Sequence, residues 1–312
     1  MDIQKNDSRP ASRLSPNVEG ALWMLASAVF FTAMITFIKI LGPEFPAPLQ
    51  VFYRQVAAMV FLSPWILRQG IGVFTTSRPW MLVFRSSGGT LSLMLANYAY
   101  QQLPLAVGNA LSFTRALWIA PLALLLLGER LDAARIGATV VGFGGILMIL
   151  GWDLQQPSAL WPSLAGLGSA FLFAFTITGG KVMTRDHSLM TLMAWATVLG
   201  TMFALPPSLY VWCWPTATQF ILLVLMGLAA TLNQACFFKG LQRGDASAIA
   251  PVDYVRLVLA IIVGFFLFSE VPSWTSLAGA AIVVGSALFL AWREHSIGVR
   301  AAEAAEAEAT SL

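Results

Sequence analysis

The sequence predicts an all-α membrane protein with ten transmembrane helices, arranged as two inverted five-helix repeats. Three observations support this prediction: an apolar composition, a series of long apolar segments, and a regular alternation of basic and non-basic loops. Hydrophobic residues make up 58 % of the 312 residues and charged residues only 11 %, and the mean hydropathy is +0.75. A soluble domain carries about 25 % charged residues. Lipid is therefore the expected surroundings of most of this chain.

The apolar segments are each long enough to cross the bilayer core, which takes about 20 residues of helix. They cover residues 18–41, 48–68, 79–102, 104–127, 132–151, 160–182, 188–211, 217–241, 246–268 and 273–292. Helix is the expected conformation, because lipid offers no partner to free backbone groups and because the segments are too long for barrel strands. The domain prediction is an N-terminal segment (1–17), two repeats (18–151 and 160–292) and a tail (293–312).

Basic residues occur only in alternate connections between the predicted spans. Lysines and arginines lie in the N-terminal segment, in the second, fourth, sixth and eighth loops and in the tail, whereas the other five loops contain none. By the positive-inside rule, both termini are predicted to be cytoplasmic, in a bacterial-type inner membrane. This topology also accounts for the net charge of +3. Nucleic acid is therefore not an expected partner, whereas the lipid bilayer is.

The two halves of the chain resemble each other at a nearly constant spacing. Residues of the same kind recur 141 or 142 positions apart: Phe31 and Phe173, Lys39 and Lys181, Phe113 and Tyr254, Arg115 and Arg256, Glu129 and Glu270. Because each repeat holds five spans, the second must insert upside down relative to the first. Inverted repeats are typical of transporters with two opposed gates around a midplane site. The alternative is an old duplication without transport.

Short motifs in both repeats carry a family resemblance. Val51-Phe52-Tyr53-Arg54 opens the second span, Leu127-Gly128-Glu129-Arg130-Leu131 precedes the fifth, and Phe268-Ser269-Glu270 precedes the tenth. In these residues the chain resembles the drug/metabolite transporter superfamily, in its ten-helix EamA family. It departs from the pattern at Val271-Pro272, where the first copy has Arg130-Leu131. The resemblance implies a central cavity lined by spans 1, 3, 4, 6, 8 and 9, without ATP or a bound cofactor. Within the superfamily, the chain resembles YddG-type exporters of aromatic and other neutral amino acids.

Arg115 and Arg256 each lie about ten residues into a span, near the bilayer midplane. An arginine at that depth costs at least about 2.5–3.5 kcal/mol, so each should face a wet cavity or a polar partner. In the functional interpretation, a guanidinium binds a substrate carboxylate, with Trp118 beside Arg115 on the same helix face. In the structural interpretation, Asp253 neutralises Arg256 from three residues away. Asp253 is also the one deep acid, so it is either a coupling group or half of an ion pair.

Further polar side chains are candidates for the cavity wall or for its ends. The candidates for substrate hydrogen bonds are Asn97, Tyr98, Tyr100, Asn233, Gln234 and Tyr254. Their alternative role is to bond neighbouring helices or to form an interfacial aromatic belt. The candidates for gates or helix ends are Lys39, Lys181, Glu129 and Glu270.

The predicted function is export of aromatic and other neutral amino acids by alternating access between the two repeats. The alternative is transport of another small metabolite, such as a vitamin, a nucleoside or a cationic compound. An enzyme is not expected, because the spans contain neither a cluster of His, Asp and Glu nor a nucleophile elbow. No catalytic residue, metal site or cofactor is predicted, and the expected partner besides lipid is a small-molecule substrate, an amino acid.

Overall fold

The computed structural model describes residues 16–76, 79–127, 133–153, 157–183, 189–243 and 252–310. These residues form α-helices, one short 3₁₀ turn at Ile71–Phe74 and connecting segments, and no strand lies among them. The helices of the first half are α1 (Pro16–Leu41), α2 (Ala47–Gln69), α3 (Pro79–Gln102), α4 (Leu105–Phe113), α5 (Arg115–Leu127) and α6 (Ala133–Asp153). Those of the second half are α7 (Pro157–Met183), α8 (Leu189–Tyr210), α9 (Ala217–Arg243), α10 (Val255–Phe268) and α11 (Trp274–Thr310).

The predicted all-α membrane fold is confirmed, and three helices differ from the predicted spans. The ninth span, predicted over 246–268, contains a turn at Tyr254, after which α10 begins. The fourth span is two helices, α4 and α5, which meet at Thr114. The last helix, α11, continues to Thr310 instead of ending near residue 292. Alanine, the strongest helix former, dominates this extension, and glutamate favours helix as well.

Four of the described helices are long and apolar enough to cross a membrane by length and composition alone. They span Val18–Leu41, Ser158–Thr178, Thr191–Tyr210 and Ala217–Gly240. Shorter apolar helices cover Ile136–Ile149, Val255–Phe268 and Trp274–Leu290. The chain is therefore a multi-pass membrane protein, and the count of ten spans stays a prediction.

Helix packing follows the internal repeat. α1 packs along α9 and α3 packs along α7, and these two contacts are equivalent under exchange of the repeats. α2 packs on α8 and α6 on α11, so each of these helices contacts its own counterpart, and α4 packs on α10, which is the counterpart of α5. The two halves are therefore related by a pseudo-twofold axis that passes between counterpart helices.

The α6–α11 contact shows how closely counterpart helices approach. A Cβ atom on Gly145 would lie 2.8 Å from the carbonyl oxygen of Gly279, and one on Gly279 would lie 2.6 Å from the carbonyl oxygen of Gly145. Small residues of this kind let backbones approach closely where lipid provides no hydrophobic driving force between helices. This crossing joins the two repeats on one side of the molecule.

Candidate functional site

Two interrupted helices meet at the centre of the bundle. The α4–α5 segment is interrupted at Thr114, and α10 begins after a turn at Tyr254. The amide of Leu117 bonds the Thr114 carbonyl at 2.9 Å, and the amide of Leu257 bonds the Tyr254 carbonyl at 3.0 Å. Arg115 and Arg256 lie in the first turns of the helices that follow. The N-termini of interrupted transporter helices carry partial positive charge and favour anionic groups.

The residues before these turns are in direct contact across the pseudo-twofold axis. The rings of Phe113 and Tyr254 stack with centroids 4.7 Å apart and an interplanar angle of 26°. Both were identified as counterparts from the repeat spacing, and Tyr254 as a cavity residue. Their stacking places the axis of the molecule between these two rings.

Each arginine lies over an aromatic ring of the opposite repeat. The Arg115 guanidinium carbon is 5.6 Å from the ring centre of Phe173, and that of Arg256 is 4.5 Å from Phe31. Arg256 is also 5.1 Å from the Phe113 ring. Cation–π contacts of this kind stabilise a charge that has lost part of its water. The sequence analysis used Phe31 and Phe173 as markers of the repeat but did not propose them for the site.

Asp253 joins the two arginines. Its carboxylate forms an ion pair with Arg256 and lies 3.6 Å from the nearest Arg115 nitrogen. Arg256 also donates from Nε to the Asp253 carbonyl at 3.1 Å. The Arg256 side chain is 6 % exposed and that of Arg115 is 28 % exposed. Arg256 is therefore enclosed by its partners, whereas more than a quarter of the Arg115 side chain stays exposed.

The repeat symmetry ends at Asp253, because its counterpart is Ser112. The Ser112 hydroxyl donates to the Asn109 carbonyl at 2.7 Å and supplies no charge. Two guanidinium groups and one carboxylate give this central cluster a formal charge of +1. Such a charge in a low-dielectric interior favours an additional anion.

Two polar atoms around the cluster are buried and have no hydrogen-bond partner within the described part of the chain. They are Asn109 Nδ2 and Asp253 Oδ1. A buried polar atom without a partner costs about 1–3 kcal/mol, so each is a candidate contact for a ligand. Asn109 was missed from the sequence, because its counterpart is Ala250 and the repeat does not mark it. The only available signal was an amide within the apolar helix six residues before Arg115.

Several of the predicted cavity residues bond or pack against neighbouring helices. Asn97 Nδ2 lies 3.5 Å from Gln50 Oε1 of α2, and Asn233 accepts a 2.8 Å bond from Ser27 of α1. Tyr98 and Gln234 are exposed. The structure therefore brings Tyr100, Arg115, Asp253, Tyr254 and Arg256 to the centre, and for Asn97 and Asn233 it shows contacts with other helices.

Trp118 packs between α5, α6 and α7. Its ring forms edge-to-face contacts with Phe143 at 4.7 Å and Phe171 at 5.2 Å. Arg115 and Trp118 thus both contact α7, as their spacing of three residues predicts. The Trp118 Nε1 atom is buried and has no hydrogen-bond partner among the described residues.

One end of the bundle is tied together by a charged cluster, the Lys39 clamp, which consists of Lys39, Leu103, Leu105 and Glu270. Lys39 forms an ion pair with Glu270 and donates to the Leu103 carbonyl. The other Glu270 oxygen accepts a 2.8 Å bond from the Leu105 amide. The clamp thereby connects the ends of α1 and α10 with the link between α3 and α4.

The backbone around Glu270 is shaped for this contact. Ser269 adopts a left-handed conformation with φ 53° and ends α10, and the Glu270 amide bonds the Gly264 carbonyl. A Cβ atom on Gly264 would lie 2.7 Å from a Glu270 carboxylate oxygen. Of the counterparts predicted at the opposite end, Glu129 lies outside the described residues. Lys181 lies in α7, and its side chain is outside the described part.

Comparison with known proteins agrees with this architecture. The family model of the EamA-like transporter family matches residues 18–151 and 160–292. An S-adenosylmethionine uptake transporter of Rickettsia bellii is 26 % identical over 88 % of this chain and 94 % of its own length. A riboflavin transporter of Vibrio cholerae is 30 % identical, with 88 % and 93 % covered, and a pseudopaline exporter of Pseudomonas aeruginosa is 24 % identical, with 87 % and 95 % covered.

A solved structure shares the fold. A crystal structure of a protein superposes with a TM-score of 0.60 at 18 % identity and covers 88 % of this chain and 97 % of that one. Both repeats match the same family model, and the relatives named above are transporters rather than enzymes. The chain belongs to the EamA-like transporter family, within the drug/metabolite transporter superfamily.

Proposed function

We propose that the protein moves a small metabolite with a carboxylate group across the membrane, and that Arg115 binds this carboxylate. The observation that carries the proposal is the central cluster, in which Arg256 is enclosed by Asp253 and two phenyl rings while Arg115 is 28 % exposed. A guanidinium can bind a carboxylate through two parallel hydrogen bonds. The substrate carboxylate would thereby pair with the positive charge that Asp253 leaves uncompensated in the cluster.

The leading substrate class is neutral amino acids, aromatic ones included, and the leading direction is export. A zwitterion supplies the carboxylate without adding net charge to a cluster that is already cationic. The half-buried ring of Tyr254, which stacks on Phe113, offers an aromatic surface to an aromatic side chain.

S-adenosylmethionine is the second candidate, because several relatives are named as transporters of this compound. The S-adenosylmethionine uptake transporters of Rickettsia bellii and Rickettsia prowazekii are both 26 % identical to this chain. S-adenosylmethionine contains the α-amino-acid group of a neutral amino acid and a sulfonium cation in addition. The cationic cluster favours a neutral amino acid over this molecule on electrostatic grounds. Riboflavin, the compound named for other relatives, has no carboxylate. Its transport would therefore require a mode of binding other than a carboxylate held by Arg115.

We further propose that the Lys39 clamp closes the external end of the cavity and must open during each cycle. The arrangement of basic loops supports cytoplasmic termini and an external position for Lys39 and Glu270. In this proposal, alternating access breaks the contacts of Glu270 with Lys39 and Leu105 and separates the ends of α1 and α10.

Counterflow in proteoliposomes tests the substrate class. Vesicles containing the purified full-length protein are loaded with unlabelled compound, and uptake of labelled tryptophan, S-adenosylmethionine or riboflavin is followed. We expect exchange of tryptophan, and we expect the Arg115→Ala variant to lose it. Exchange of riboflavin alone, undiminished in Arg115→Ala, would overturn the proposal.

A further inference from the structure

The carboxylate of Asp253 uses only one of its two oxygens. Oδ2 contacts both arginines, with Arg256 in the ion pair and Arg115 at 3.6 Å. Oδ1 is buried and has no hydrogen-bond partner among the described residues. An ionised carboxylate accepts several hydrogen bonds, and leaving a buried oxygen unpaired is unfavourable. A carboxylate present only to neutralise Arg256 would be more stable with a hydrogen-bond donor on each oxygen. The unpaired Oδ1 therefore indicates a ligand that supplies a donor.

The position of this oxygen relative to Arg115 narrows the chemistry of that ligand. Asp253 and Arg115 are close enough to interact, yet Arg115 keeps an exposed surface for an anion. A ligand that reaches both must carry an anionic and a cationic group only a few atoms apart. An α-amino acid does so, because a single carbon separates its carboxylate from its ammonium. A simple carboxylic acid satisfies Arg115 and leaves Oδ1 unpaired.

We propose that Asp253 is a specificity-determining residue whose Oδ1 accepts a hydrogen bond from the substrate ammonium group. The site then selects α-amino acids over carboxylates that lack the amino group. This inference rests on the proposed function, since it assumes that Arg115 holds the substrate carboxylate. The equivalent position in the first repeat is Ser112, so only the second repeat supplies a carboxylate for the ammonium group.

The test compares two ligands that differ only in the amino group, tryptophan and indole-3-propionate. Binding of each radiolabelled compound to the purified full-length protein is measured for the wild type, for Asp253→Asn, and for Glu44→Gln as a matched carboxylate-to-amide control. Glu44 is exposed in the connection between α1 and α2. We expect the wild type and Glu44→Gln to bind tryptophan at least about tenfold more tightly than indole-3-propionate, because a hydrogen bond to a charged group has an effect of this size.

In Asp253→Asn, we expect the ratio of the two affinities to fall to about one, while indole-3-propionate still binds. A merely structural role of Asp253 would weaken both ligands equally and leave the ratio unchanged, which would overturn the proposal. Equal binding of the two ligands by the wild type would overturn it as well, and this comparison needs no variant to fold. The proposed function fails separately, if neither ligand binds the wild type or if Arg115→Ala binds both undiminished.

Discussion

Phe113 and Tyr254 occupy equivalent positions in the two repeats, and their rings stack on each other 4.7 Å apart. A contact between counterparts occurs where a pseudo-twofold axis passes, so these rings mark the pivot around which the repeats are arranged. The two arginines follow directly on either side, each over a phenylalanine of the other repeat. The centre of the molecule is therefore made of matched elements from both halves.

The stack predicts a difference between two substitutions of Tyr254. Replacement by Ala removes the ring and should lower the rate of substrate exchange several-fold, because a stacked aromatic pair contributes about 0.5–1.5 kcal/mol beyond its buried area. Tyr254→Phe keeps the ring and should retain most of the wild-type rate. Counterflow in proteoliposomes at equal protein content measures both variants. Equal loss in Tyr254→Phe would show that the hydroxyl, rather than the stacking, is required.

Replacement of Arg115 should separate charge from geometry. Arg115→Ala should reduce exchange at least about tenfold, because the bound carboxylate loses a charged partner, while thermal stability in detergent stays close to wild type. Arg115→Lys restores the charge without the two parallel donors, so we expect partial recovery. The measurements are counterflow and a thermal unfolding curve for each purified variant. A fully active Arg115→Ala protein would contradict the carboxylate site.

The crossing of α6 and α11 offers a matched pair of adjacent glycines. A Cβ atom on Gly145 would meet the Gly279 carbonyl and Ile282, whereas one on Gly144 meets nothing within 4 Å. Gly145→Ala should therefore force the helices apart and cost about 1–3 kcal/mol, the usual effect of overpacking. Gly144→Ala should be neutral or slightly stabilising. Thermal unfolding of the two variants in detergent measures the difference. Identical melting temperatures would show that this crossing adapts without cost.

The Lys39 clamp predicts that tying its two sides together stops transport. In a background with Cys213→Ser and Cys236→Ser, the Lys39→Cys/Glu270→Cys variant can be bridged by a bifunctional maleimide. We expect bridging to abolish exchange, because α1 and α10 can no longer separate at this end. Each single cysteine variant treated in the same way is the control and should keep the rate that it has before treatment. Undiminished exchange after complete bridging would exclude this contact as a gate.

The orientation of the chain is open to direct measurement. A fluorescent protein fused after Leu312 should fold and fluoresce in cells, because the basic loops predict a cytoplasmic C-terminus. A periplasmic phosphatase fused within residues 212–216 should be active, since this connection lies on the opposite face. The reverse pattern of the two reporters would invert the topology and place the Lys39 clamp at the cytoplasmic end.

The repeat in the sequence predicted much of the centre, and the packing between helices supplied the rest. The constant spacing identified Arg115, Arg256 and Tyr254, and the short distance along the helix paired Asp253 with Arg256. Periodicity along one helix does not show which helix lies opposite. Partners such as Phe173 for Arg115 and Gln50 for Asn97 therefore became visible only in three dimensions.

Local sequence also left two features unpredicted, the break between α4 and α5 and the role of the Asn109 side chain. The nearest glycine and proline to the interruption at Thr114 are Gly108 and Pro121, each within a helix and not at the break, so no such residue marked the end of α4. Asn109 has no polar counterpart in the second repeat, so a search for matching pairs passes over it. Both features arise from how the repeats pack on each other, which residue preferences do not encode.

Asp253 in one repeat and Ser112 at the equivalent position of the other make the two halves of the central cluster chemically different. In the proposed mode, a zwitterion held between Arg115 and Asp253 places its carboxylate on the first repeat and its ammonium on the second, so the two repeats contact different ends of the substrate. The concentrations that half-saturate transport from the two faces should accordingly differ. One unmatched carboxylate would thus make two otherwise equivalent halves unequal in how they hold the substrate.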